Sequence, residues 1–160
     1  MALNPKNWTI KTQEAVAAAI DQAKSFSNPE LTGDHVLGAL VRQDDTIVPA
    51  VLAKLGLAPL MIRNNCDERV AKLPKAVGGD EPRMNRELNN IFEMAERYQK
   101  DFKDDYLSVE HLLLAMNQRL GIGSEELLQA LREVRGSHRV TDQNPEEKFQ
   151  ALEKYGQDLT

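Results

Sequence analysis

Two stretches of this 160-residue chain carry one pattern. Residues 31–40 read LTGDHVLGAL and residues 107–116 read LSVEHLLLAM, each a leucine, a hydroxyl residue, one spacer, an acid, a histidine and an apolar run. A constant shift of 76 residues relates them, and the same shift aligns Ala19 with Ala95, Phe26 with Phe102 and His35 with His111. A gapless match over two helices and the loop between them marks an internal duplication. The chain is expected to be all-α, two pseudo-repeats of a small helical bundle.

The first copy covers about residues 9–73 and holds four helices. Thr9 is the N-cap of a helix to about residue 26, with Val16, Ala19, Ile20, Ala23 and Phe26 at helical spacing. Asn28-Pro29 ends it, because proline disfavours helix in the residue before it. Thr32 caps the second helix, and Asp34 stands in the first turn, where the positive helix end favours an acid. Val36, Leu37, Leu40 and Val41 form its stripe. A third helix, about 47–55, stops at Gly56; a fourth starts at Pro59 and buries Ile62, Cys66, Val70 and Leu73.

PKAVGGDEPRMN, residues 74–85, is a connector with two prolines and a Gly-Gly pair. The second copy, about 85–135, follows with three helices. Leu88, Ile91, Ala95, Tyr98 and Phe102 make the stripe of a helix over about 85–102, and Ser108 caps the next, with Glu110 in its first turn. The duplication then breaks. LGIGSEELLQAL matches LGLAPLMIRNNC at a shift of 65, so the second copy goes straight to its last helix, about 124–135; a shift of 76 instead pairs Leu127, Leu128 and Leu131 with Val51, Leu52 and Leu55. Gly136 ends that helix, and residues 136–160 read as a linker and the start of another helix, capped by Asn144, with Phe149, Leu152, Tyr155 and Leu159 on one face. Nothing nearby covers that face, so the expectation is a piece of a longer protein.

Composition narrows the function. With 5% aromatic residues, a net charge of −5 and no stripe of Lys and Arg, the chain lacks the phosphate-neutralising surface that nucleic-acid binding needs. No apolar run approaches the roughly 20 residues that cross a bilayer, and the N-terminus MALNPKNWTIKTQ has no hydrophobic signal core. One cysteine, Cys66, on an apolar stripe, reads as core, and the expected location is the cytoplasm.

DDYLSVEHLLLAM, residues 104–116, gathers Asp104, Asp105, Glu110 and His111, which raises a metal-dependent hydrolase as one reading. Glu110 and His111 are sequential, however, and point about 100° apart on a helix; no second histidine stands four residues away. A structural role for His35 and His111 near backbone groups at each helix start is favoured. No phosphate loop or nucleophile elbow is present, so neither catalysis nor a cofactor is expected in this chain. Phe92 and Met94 flank their helix stripe, and Leu114 widens the run of the EH helix. Such residues either line a groove for a partner's apolar segment or belong to a wide face buried by a neighbouring helix. Acids bordering a groove would orient basic partners.

The doubled LTGDHVLGAL and LSVEHLLLAM, the opening TIKTQEAVAAAIDQA and the segment LREVRG resemble the Clp N-terminal domain, the repeat module at the front of Clp-type AAA+ unfoldases. The tail VTDQNPEEKFQALEKYGQDLT is similar to the linker and lead-in helix of the ClpB-type disaggregases. The resemblance implies a stress-response chaperone domain that binds unfolded or aggregated polypeptide in an apolar groove and delivers it to an ATPase ring, with refolding as the outcome. ATP and Mg would bind in AAA+ modules beyond this chain, the full-length protein would be a homohexamer, and the domain alone a monomer. Carried over from the family, substrate engagement falls on Thr9, Asp104 and Glu110, with the groove near Phe92 and Met94. The alternative is an adaptor-docking domain of a protease-linked Clp unfoldase. The chain departs from the family in having only NQRLGIG where a further helix is usual, and in Gly38 where the second copy has Leu114.

Overall fold

The computed structural model describes residues 5–76, 78, 81–136 and 143. Seven α-helices lie among them: α1 (Ile10–Ser25), α2 (Gly33–Arg42), α3 (Val48–Lys54) and α4 (Pro59–Ala71), then α5 (Arg86–Asp101), α6 (Val109–Ala115) and α7 (Ser124–Arg135). The expected all-α organisation, four helices and then three, is what forms. The amphipathic segment after Asn144 lies outside the described residues.

Local chemistry explains the boundaries. Thr9 accepts the Thr12 N–H at 3.2 Å and Asn85 the Leu88 N–H at 2.8 Å, so α1 and α5 open on equivalent side-chain caps. They close alike too. Ser27 and Lys103 take the left-handed conformation at φ 57° and 59°. The amides of Asn28 and Asp104 reach back to the carbonyls of Ala23 at 2.8 Å and Gln99 at 3.0 Å. That is the six-to-one closure of a Schellman turn. α3 stops because Gly56 turns left-handed at φ 73°, and α4 begins with proline, whose missing N–H costs nothing in the first turn.

Two short strands join the copies, an addition that residue periodicity does not show because each is two residues long. β1 (Glu30–Leu31) pairs in parallel with β2 (Arg83–Met84). Its counterpart is an isolated parallel bridge between Trp8 and Leu107. The segment leading into each copy therefore pairs with the loop of the other copy. Thr9 N–H donates to Leu107 O at 2.9 Å, as Asn85 N–H donates to Leu31 O at 3.0 Å. One core runs through both copies, with Trp8 stacked on Phe92 at 5.4 Å between ring centroids. Phe92 is fully buried, which corrects its expected place beside the stripe: α5 buries a wider face because Trp8 arrives from the start of the chain. Leu114 is buried likewise, so the EH helix has the wide, covered face of the two readings above.

α7 shares one feature with α4 of the first copy. The C-terminal arginine of each helix, Arg69 on α4 and Arg135 on α7, reaches the acid at the second position of its partner helix, Asp34 on α2 and Glu110 on α6. The segment between α6 and α7 is a 3-10 turn, Asn117–Leu120, ended by Gly121 at φ 69°. Among the described residues, no helix is long and apolar enough to cross a membrane.

Candidate functional site

Each histidine of the doubled motif closes its helix start. His35 Nδ1 accepts the Thr32 backbone N–H at 2.9 Å, and His111 Nδ1 accepts that of Ser108 at 2.8 Å. A nitrogen that accepts has no proton, so the proton sits on Nε2 in both rings. His35 Nε2 donates to Asn28 Oδ1 at 2.9 Å, and His111 Nε2 to Asp104 Oδ2 at 2.7 Å. The Schellman turns place these two acceptors: each is the residue just after the left-handed position. Both ring nitrogens are thus occupied within the fold, as the structural reading expects. Burial lowers the pKa of His35 despite the opposing charge of Asp34, so this ring is held neutral.

Asp104 and Glu110 lie in a cluster almost closed to solvent. Arg135 bonds Asp104 through Nη2, its Nη1 lies 3.7 Å from Glu110, and its guanidinium sits 5.0 Å from the Phe102 ring centre. Ser108 Oγ donates to Glu110. Thr9 is also fully buried, sharing a 2.8 Å hydroxyl bond with Thr12, whose own hydroxyl donates to Leu107 O at 3.1 Å. Among the residues expected to touch polypeptide, Thr9 and Phe92 are therefore buried groups that tie the two copies together, and Asp104 and Glu110 are buried groups that brace the second copy from within. Their side chains do not form a surface in this structure. Met94 is exposed.

The first copy's acid is held differently. Asp34 Oδ1 accepts from Arg69 Nε at 2.7 Å and from Arg119 Nη1 at 2.7 Å, and Arg119 also pairs with Glu87. Arg119 comes from the 3-10 turn of the second copy and crosses over Gly33, where an added Cβ would stand 2.6 Å from its Nε. Arg69 has its pKa raised chiefly by its bond to Asp34, and burial pushes the Cys66 thiol up. At Gly38 an added Cβ would stand 2.9 Å from Arg42 Nη1, the end of a flexible side chain, and in ordinary contact with Cys66 Cβ at 3.5 Å.

The exposed apolar surface is elsewhere, at the start of α4. Leu60 and Met61 are 63% and 65% exposed, the largest values among the big apolar residues described. Beside them lies a pocket of about 150 Å³ lined by Leu57, Ala58, Met61, Ile62, Asn65, Arg69, Arg119 and Leu120. Sequence reasoning missed it, although the criterion that picked Phe92 and Met94 applies: Leu60 and Met61 lie off the Ile62, Cys66, Val70 stripe.

The family described as Clp repeat (R) N-terminal domain matches residues 7–134. Chaperone protein ClpB 1 of Synechococcus elongatus is 34% identical over 168 residues, covering 98% of this chain and 19% of the relative. The chain thus spans about a fifth of the length of the curated relatives it matches. The Hsp104 N-terminal domain from Candida albicans has a TM-score of 0.74 at 19% identity, over 86% of this chain and 97% of that one. A ClpV N-domain solved in complex with VipB peptide has a TM-score of 0.60 at 18% identity, over 83% of this chain and 84% of that one. At these identities the two structures show a shared fold.

Proposed function

The chain belongs to the Clp repeat (R) N-terminal domain family, and on that footing we propose that it is the polypeptide-capturing domain of a ClpB-type chaperone. It holds exposed apolar segments of unfolded or aggregated protein and presents them to an ATP-driven ring formed by other parts of the full protein. ATP and Mg act in that ring, which is a homohexamer; the domain alone is a monomer. The observation that carries this reading is the unpaired apolar surface of Leu60 and Met61 beside the pocket. Exposed large apolar residues next to a concavity suit contact with an extended chain, and methionine adapts its shape to varied partners. The ClpV domain bound to VipB peptide supports the reading by analogy of fold. Met94 adds a second exposed position, while Thr9, Asp104, Glu110 and Phe92 serve capture indirectly, by fixing the frame.

The test is binding of a fluorescent, permanently unfolded polypeptide, followed by anisotropy. Replacing Leu60 and Met61 together by Ser should weaken binding by about tenfold, since each removes partial burial of a large apolar side chain. Unchanged binding in a variant of unaltered helix content overturns capture at this face.

A further inference from the structure

We infer that the pocket between α4 and the 3-10 turn takes an apolar side chain with a carboxylate close by, so that apolar segments bearing Asp or Glu are the preferred polypeptide. The inference rests on the capture reading above and names the chemistry it selects.

The pocket lining sets this preference. Its apolar lining comes from Leu57, Ala58, Met61, Ile62 and Leu120, around a volume on the scale of one large side chain. Its charged lining residues are Arg69 and Arg119; no acid lines it. Asp34 and Glu87, which pair with these arginines, stand outside the lining. Arg69 commits Nε to Asp34, and its Nη2 touches only Cys66 Sγ at 3.8 Å, a weak acceptor. Arg69 lines the pocket with its side chain 44% exposed, so its guanidinium is within reach of a bound chain. A guanidinium presents its N–H donors as a planar fork that matches a carboxylate. Asn65, also in the lining, offers an amide to a backbone group of an extended chain. The acids that the sequence placed at a groove are those buried around Arg135, whereas the charged side chains lining the accessible pocket are arginines.

The test uses three labelled peptides that share one apolar anchor and differ in the neighbouring residue: Glu, Gln or Lys. They are titrated into the 160-residue chain while the Met61 methyl is observed by NMR. At low salt the Glu peptide should bind about three- to fivefold tighter than the Gln peptide, the size of a part-exposed ion pair, and the Lys peptide weakest. The Glu advantage should shrink at high ionic strength, where such pairs are screened. Arg69→Gln should erase the difference between the Glu and Gln peptides. Equal binding of all three with Met61 perturbed overturns the charge preference and leaves capture standing. Tighter binding of the Lys peptide overturns it also. Binding of none sinks capture and the preference together. Met61 shifts that grow with protein concentration alone would assign the pocket to a second copy of the chain and contradict the inference.

Discussion

The two copies open their second helix on the same frame but balance charge in different ways. In the first, His35 meets the neutral Asn28, and the acid of the motif, Asp34, is shared by Arg69 and Arg119 at the protein edge. In the second, His111 meets the carboxylate of Asp104, and one buried arginine, Arg135, serves both Asp104 and Glu110. A single change of residue type, Asn to Asp at equivalent positions, thus calls for a cation in the interior. The difference teaches that the duplicated motif is a helix-closing device first. The two arginines that hold Asp34, Arg69 of the first copy and Arg119 of the second, stay partly in solvent, and that is where the pocket lies.

The largest effect is expected from Arg135→Met, which leaves two buried carboxylates without their cation. It should cost about 3–5 kcal/mol in denaturant unfolding. Asp104→Asn makes the second copy resemble the first but takes the charged acceptor from Arg135. A loss of about 1–3 kcal/mol is expected by the same measurement. No loss there would mean that the arginine is not balanced by Asp104.

Acid should test the first copy through His35. Its folded pKa lies below the ordinary 6.5, so its contribution is complete above that value and is lost as pH falls from 6.5 through the lowered value. Amide exchange at Thr32, whose N–H bonds His35 Nδ1, should quicken across that window. An exchange rate independent of pH after correction for intrinsic chemistry would contradict it. Smaller still, Gly33→Ala should push Arg119 off Asp34 and cost about 1 kcal/mol or less, the value of a part-exposed pair. Val109 fills the equivalent position in the second copy. Ser27→Gly should stabilise by about 0.5–1 kcal/mol, because glycine takes the left-handed turn without penalty. Thermal unfolding reads both.

The frame was legible because it is local. Caps, prolines and the 76-residue shift act over a few positions, so α1, α2, α5 and α6, and the structural role of both histidines, follow from neighbours in the chain. What the sequence hid are pairings between distant segments. Asp104 finds Arg135 across 31 residues, and nothing in DDYLSVEH announces a cation there. Trp8 covers Phe92, which turned a residue read as flanking into core. The same spacing rule failed to single out Leu60 and Met61, because α4 looks ordinary until the 3-10 turn, in place of a covering helix, is seen beside it.

The most direct test of the central claim, that polypeptide meets the start of α4 while the motif acids hold the frame, is a backbone and methyl NMR titration with a permanently unfolded polypeptide. Shifts concentrated at Leu57, Leu60, Met61 and Leu120, with Thr9, Ser108 and Glu110 still, are the expected result. Shifts centred on Thr9, Asp104 and Glu110, with α4 unmoved, would contradict it.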